Sequence, residues 1–253
     1  MATRIDLNAD VGESFGTWTL GDDAALLPSL SSINVACGFH AGDPRIIDAT
    51  LLEAARLGLA VGAHPGYADL RGFGRRPMRA DPAEVEADVL YQVCALLGMA
   101  RSRGLALAHV KPHGALYNQA ATDPALATAI ARGVARCSRE LVLIGLASST
   151  VMREAAAAAG LRYAREAFAD RGYAGDGSLL PRGAPGALLL DPRAAAAQAV
   201  DIVRDGHVRT PDGSWLRLEA DTLCLHGDTP GAPAIATAVR AAFEAAGVRV
   251  LPL

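Results

Sequence analysis

Ala106-Leu107-Ala108-His109-Val110-Lys111-Pro112-His113-Gly114 is a short β-type run that stops in a cluster of chemically capable side chains, and its reading decides the fold. His109 and Lys111 alternate with Val110 and Pro112, so they share one side of the strand, where His109 can equally point inward as a buried polar residue. Pro112 biases the residue before it towards extended backbone, which aims Lys111 off the strand end. The same pattern recurs along the chain. Arg4–Asn8 runs into Asn8-Ala9-Asp10-Val11-Gly12-Glu13, Ser32–Ala36 into Cys37-Gly38-Phe39-His40, and Ala60–Ala63 into His64-Pro65-Gly66-Tyr67. Arg162–Glu166 precedes Asp170-Arg171, and Thr222–Leu225 precedes His226-Gly227-Asp228. Leu141–Leu146 and Val248–Leu251 complete the β-type runs.

Helical stretches lie between these runs, and their starts are well marked. Asp43-Pro44, Asp81-Pro82, Asp123-Pro124 and Asp191-Pro192 each place a capping Asp before a Pro at the first helical position. Val85, Val89, Val93 and Leu96 then follow at helical spacing. His207–Arg209 and Trp215–Leu218 flank Thr210-Pro211-Asp212-Gly213 and read as an inserted β-hairpin. No linker or internal repeat interrupts the series, so residues 1–253 are expected to form one domain. Seven or eight βα units imply an α/β fold with a parallel sheet, doubly wound or closed into a barrel. A doubly wound sheet would carry reactive groups only near its switch point. A barrel gathers the C-terminal ends of all its strands around one mouth, and that distribution predicts a β/α barrel.

Composition narrows the function. Hydrophobic residues make up 51% and aromatics 5%, so the core is built from Ala, Val, Leu and Ile. A net charge of −3 offers no basic stripe for nucleic acid. No run approaches the ~18 apolar residues that a membrane helix needs. Cys37, Cys94, Cys137 and Cys224 are scattered, which speaks against zinc ribbons and disulfide scaffolds and, with no apolar leader at the N-terminus, predicts a cytoplasmic protein. Lys111 is the sole lysine, every other basic residue being Arg. A lysine kept in such a background points to a need for a compact ammonium.

Four of the histidines, His40, His64, His113 and His226, sit beside Gly or Pro or within a residue or two of them, in loops that a barrel would converge. Cys37 lies close enough in sequence to His40 to be weighed as a nucleophile, and Asp43 has its capping role to set against any chemical one. There is no Walker phosphate loop, no dinucleotide-binding glycine fingerprint and no nucleophile elbow. Carboxylates, imidazoles and one lysine at a barrel mouth suit hydrolytic or proton-transfer chemistry.

These motifs also resemble a family. Asp6-Leu7-Asn8-Ala9-Asp10-Val11-Gly12-Glu13-Ser14-Phe15-Gly16, Asn34-Val35-Ala36-Cys37-Gly38-Phe39-His40-Ala41-Gly42-Asp43-Pro44 and Gly62-Ala63-His64-Pro65-Gly66-Tyr67 look like signatures of the LamB/YcsF family. So do Gly72-Phe73-Gly74-Arg75-Arg76, His109-Val110-Lys111-Pro112-His113-Gly114-Ala115-Leu116-Tyr117-Asn118, Glu166-Ala167-Phe168-Ala169-Asp170-Arg171 with Tyr173, and Leu225-His226-Gly227-Asp228. The resemblance implies a glycoside hydrolase/deacetylase-like barrel. It also implies activity as one component, together with subunits B and C, of an enzyme that opens 5-oxoproline to glutamate with ATP and its Mg counter-ion.

On that basis Asp10, His64, Lys111 and His113 are expected to be catalytic. Asp10 with His64 or His113 would exchange protons, and Lys111 would neutralise charge on the carbonyl oxygen or phosphate. Asn8, His40, Arg75, Arg76, Glu166, Asp170, Arg171 and His226 are the candidate substrate-binding residues, the arginines as carboxylate forks. As a mouth residue, Lys111 is expected to be replaceable without loss of the fold. Two alternatives stand beside this reading. Asn8-Ala9-Asp10 and Gly62-Ala63-His64 are similar to metal-binding motifs of YdjC-type barrel deacetylases, but Val11 stands where those carry a second Asp. Any bound metal is therefore unknown, and absent or loose metal is expected. The other alternative is a noncatalytic subunit that presents a lactam to its partners.

Overall fold

The first strand, β1 (Arg4–Val11), alternates two chemistries that are both buried. Ile5, Leu7, Ala9 and Val11 join the hydrophobic core, while Asp6, Asn8 and Asp10 point to the opposite face and are shielded as well. A strand covered on both sides with polar residues on one of them belongs to a barrel whose interior is polar. The computed structural model, which describes residues 3–253, has that form.

Strands β2 (Ser32–Ala36), β3 (Ala60–His64), β4 (Leu107–Val110), β5 (Val142–Leu146) and β6 (Arg162–Phe168) follow β1 in parallel order. The antiparallel hairpin β7 (His207–Arg209) and β8 (Trp215–Arg217) intervenes, as expected. Strand β9 (Thr222–Leu225) then pairs in parallel with both β6 and β1 and closes the barrel. The closed sheet thus has seven strands among the described residues. The last expected strand exists as β10 (Arg249–Val250), but it meets β1 at Arg4 and Ile5, at the end of the barrel away from the mouth.

The register stacks polar side chains in tiers inside the barrel. Asp6 lies level with Thr222, Asn8 with Ser32, and Asp10 with Asn34. At the base, Ser31, Ser32 and Thr222 donate hydroxyl bonds to the Asp6 carboxylate. Burial nevertheless raises the Asp6 carboxyl above its ordinary range. Above it, Asn8 donates to Thr222 and Glu166, and Asn34 donates to Asn8 and Asp10.

Helices α1 (Asp23–Leu26), α2 (Pro44–Leu57), α3 (Pro82–Ser102), α4 (Gly114–Ala120), α5 (Pro124–Cys137), α6 (Thr150–Ala158), α7 (Pro192–Val200) and α8 (Ala232–Ala245) surround the strands. Asp43, Asp81, Asp123 and Asp191 cap α2, α3, α5 and α7 as their Asp-Pro pairs predict. Each cap satisfies backbone N–H groups that have no partner inside the helix. Residues 169–191, between β6 and α7, form an irregular segment folded on itself by bridges from Arg171 to Leu188 and from Tyr173 to Leu179.

Candidate active site at the barrel mouth

Lys111, immediately beyond β4, sends its ammonium into the barrel at the top polar tier. Nζ lies 2.9 Å from Asp10 Oδ1, 3.1 Å from Glu166 Oε1 and 3.0 Å from Cys224 Sγ. An ammonium has three N–H donors, so all of them are taken up. Burial works against the charged form, but Asp10, Cys224 and Glu166 outweigh it and raise the Lys111 pKa well above its ordinary value. Burial would likewise push Asp10 up, yet His64 and Lys111 hold it well below the usual carboxylate range. Glu166 stays raised, because its burial exceeds what Lys111 returns. In this arrangement its charge holds two buried carboxylates, and each of its three N–H donors faces a partner.

Beside this node stand three imidazoles and a carboxylate from successive strand ends. His64 Nε2 lies 3.3 Å from Asp10 Oδ2, and His64 Nδ1 lies 2.7 Å from the Lys111 carbonyl. His113 Nδ1 faces His64 Nε2 at 2.9 Å, and its Nε2 lies 2.8 Å from the Phe73 carbonyl. The His40 ring stacks on that of His113 with centroids 3.8 Å apart. Burial lowers both His40 and His113 well below the usual imidazole range, which keeps them neutral. Glu13 completes the group; burial, and then the Asp10 and Asp228 charges, raise it well above its ordinary value.

A second pair stands across β6 and β9. Asp170 faces His226 Nδ1 at 3.1 Å from each carboxylate oxygen, and also accepts from the His226 backbone N–H and the Thr229 hydroxyl. Burial opposes its ionisation, but His226 prevails and holds Asp170 below its ordinary value. The His226 ring stacks on Phe168 with centroids 5.1 Å apart. This arrangement commits Nδ1 to Asp170 and leaves the opposite ring edge for chemistry.

These groups border a cavity of about 720 Å³. Asp10, His64, Lys111, His113 and His226 reach its wall, with Arg75, Arg171, Arg182, Tyr117 and Phe168. Arg75 pairs with Asp228 at 2.8 Å, and Arg182 approaches the other oxygen of Asp228 at 3.8 Å. Arg171 is spent on the Ala187 and Leu180 carbonyls, so it braces the 169–191 segment over the cavity.

All four expected catalytic residues thus come together. The expected binding set divides. His226, Arg75 and Arg171 line the cavity. Asn8 and Glu166 are fully buried in the interior tiers, because β1 and β6 turn them inward. His40 and Asp170 stand behind the wall, His40 buried in its stack on His113 and Asp170 bonded to His226. Arg76 turns away to pair with Asp69, leaving its side chain largely exposed. Cys37 donates to the Val35 carbonyl, and burial pushes its thiol up to about 12, contrary to a nucleophile. Arg182 and Cys224 had no signal in sequence, since they meet the site through distant parts of the chain, and Asn34 stood in a motif without being singled out. Glu13 did stand in the first motif, but its convergence with three histidines is a tertiary fact.

Fold and site together define a parallel seven-stranded β/α barrel with a hydrolase-type polar mouth. The chain belongs to the LamB/YcsF family, which it matches over residues 5–253. The 5-oxoprolinase A subunit of Chloroflexus aggregans is 54% identical over 246 residues, 97% of this chain and 97% of its own. The crystal structure of the lactam utilization protein from Thermus thermophilus matches with a TM-score of 0.94 at 48% identity, covering 99% of this chain and 100% of that one. A mutant of the peptidoglycan deacetylase PdaC from Bacillus subtilis matches at a TM-score of 0.50 and 10% identity, covering 100% of this chain and 88% of that one. That last likeness concerns the fold alone. Among the described residues, no helix is long and apolar enough to cross a membrane.

Proposed function

We propose that this chain is the A subunit of an ATP-dependent 5-oxoprolinase, and that its barrel mouth opens 5-oxo-L-proline to L-glutamate in a complex with subunits B and C. The observation that carries this reading is His226, oriented by Asp170 on the wall of the cavity that also exposes Asp10, His64 and His113. The names of the relatives supply the substrate.

A five-membered lactam is a resonance-stabilised amide that water attacks slowly. Transfer of the γ-phosphoryl group of ATP to the lactam oxygen releases ADP and leaves the ring carbon electrophilic. Water adds to that carbon and gives up a proton. The C–N bond then breaks as the ring nitrogen takes a proton, giving γ-glutamyl phosphate, from which a second water displaces phosphate. His226 is placed to take and return these protons, because Asp170 fixes its ring and offers a counter-charge to the imidazolium formed in passing. The ionised Asp10 opposes negative charge at the cavity floor and favours the cationic character of a departing amine. Arg75 and Arg182, gathered at the rim by Asp228, suit the substrate carboxylate or the transferred phosphoryl group. ATP brings Mg²⁺ as its counter-ion, and the cytoplasm supplies both.

The test measures glutamate and phosphate released from 5-oxoproline and ATP by the purified chain, with and without subunits B and C. Release is expected when the three are combined and negligible from the chain alone. Full coupled turnover by the single chain, or none by the assembled complex, would sink the reading.

A further inference from the structure

Glu13, His40, His64 and His113 place one donor atom each within 4.8 Å of the others, and all four residues are buried. They come from the ends of four successive strands, so the barrel itself brings them together.

The hydrogen bonds around them leave a specific conflict. His64 Nδ1 must donate to the Lys111 carbonyl, which in a neutral ring leaves Nε2 as a bare lone pair. His113 Nε2 must donate to the Phe73 carbonyl, which leaves Nδ1 as a second lone pair. The two lone pairs face each other at 2.9 Å. Two neutral rings in these tautomers repel there; what relieves them is a cation between them, either a metal ion or a further proton on His64 Nε2, which also faces Asp10 Oδ2 at 3.3 Å. Nearby, Glu13 Oε1 is buried with no hydrogen-bond donor among the described residues, 3.5 Å from His113 Nδ1 and 3.7 Å from His40 Nε2. Neither nitrogen of the fully buried His40 has a partner among the described residues. Orphan polar atoms in a protein interior are rare, and here three of them converge.

We infer that Glu13 Oε1, His40 Nε2, His64 Nε2 and His113 Nδ1 form a binding site for a divalent transition-metal ion of the zinc class. Three imidazoles with one carboxylate suit such a borderline ion and not Mg²⁺ or Ca²⁺, which prefer oxygen. Zinc–nitrogen bonds of about 2.0–2.1 Å put tetrahedral ligand atoms roughly 3.3 Å apart; three of the pair separations, 2.9, 3.5 and 3.7 Å, bracket that value, and all lie within 4.8 Å. The two backbone carbonyls fix ring orientation, as outer-shell acceptors do for metal-bound histidines. The glycines keep the rings close: a Cβ on Gly66 would sit 2.7 Å from His40 Nδ1, and one on Gly74 would sit 2.8 Å from both His40 and His113. The carboxylate is Glu13 and not a residue at position 11, where Val11 told against a metal. Asp10, the carboxylate of that motif, is taken up by Lys111.

The test is direct metal binding by the full-length chain, read apart from any turnover. Chelator-treated protein is titrated with Co²⁺ and then Zn²⁺, following the visible absorption of cobalt and competition by a chromophoric chelator. About one ion per chain is expected, with the intense, red-shifted bands of low-coordinate Co²⁺. Glu13→Gln and His113→Ala should each weaken binding by about 100-fold or more, with circular dichroism unchanged. If the wild-type chain takes up neither ion, the pocket holds a shared proton between His64 and His113, and the inference falls without affecting the lactam reading. Binding that survives both substitutions would place the ion elsewhere and overturn it equally.

Discussion

Lys111 Nζ and Asp10 Oδ1 lie 2.9 Å apart, with the lysine side chain 3% exposed and that of Asp10 9%. Glu166 sits on the same ammonium and is fully buried. A lone lysine at a strand end thus serves as the shared counter-charge of two carboxylates inside the barrel.

Removing that charge should therefore unfold more than it inactivates. Lys111→Met leaves the ionised Asp10 without its cation, and breaking a buried pair in this way costs about 3–5 kcal/mol. The expected outcome is a marked fall in the urea midpoint, opposite to the behaviour of a replaceable mouth residue. Lys111→Met combined with Asp10→Asn should recover part of the loss, because the uncompensated charge goes too. Wild-type stability in Lys111→Met would mean that the buried pairing carries no weight.

The Asp170–His226 pair should behave as a proton-transfer unit. His226→Gln keeps a polar side chain but cannot carry a proton, and turnover in the assembled enzyme should fall by about 10²–10⁴. Asp170→Asn should lower kcat in the same direction, since an amide can present its N–H to Nδ1 and favour the wrong tautomer. KM for 5-oxoproline should change far less in both. A raised KM with unchanged kcat would make His226 a binding residue only.

Local physics made much of the fold readable. The Asp-Pro pairs carry their own capping chemistry, and the bounds of β2 and β9 coincide with the short β-type runs. The residues gathered at the mouth were legible because βα loops follow strand ends in any barrel. What escaped was direction and depth. Asn8 and Glu166 look like mouth residues in sequence, but the pairing of β1 and β6 with β9, across more than fifty residues, turns them inward. Cys224 enters the site through that same pairing. Arg75 and Arg76 are adjacent and chemically alike, and no local rule separates the one that turns to Asp228 from the one that turns to Asp69.

That last distinction is testable. Arg75→Ala removes the guanidinium at the cavity rim and should raise KM for 5-oxoproline or ATP by about 10-fold or more, the scale of one charge-assisted contact. Arg76→Ala should leave both KM values near wild type, because its side chain is 67% exposed and belongs to Asp69. Steady-state kinetics of the two variants in the assembled enzyme decide it. Equal defects would mean that the rim rearranges to use both arginines.

Acid sensitivity should trace in part to His109. The ring is buried, donates from Nε2 to Asn34 Oδ1 at 2.8 Å, and occupies the space that a Cβ on Gly62 would need. Burial, helped by the Lys111 charge, pushes its pKa down to about 3. In the unfolded chain a histidine titrates near 6.5. Between those values the unfolded state binds the extra proton, so stability rises with pH and is lost as pH falls from about 6.5 towards about 3. His109→Gln keeps an N–H donor for Asn34 but removes the titration. The urea midpoint of the wild-type chain should therefore drop between about pH 7 and about pH 4.5, and the drop should be smaller in His109→Gln. The variant begins from a lower midpoint at neutral pH, since glutamine fills the ring's space imperfectly, so the two curves converge as the solution is acidified. Parallel curves would show that His109 is protonated as readily in the barrel as in the unfolded chain, and the acid response would then have to come from other buried groups.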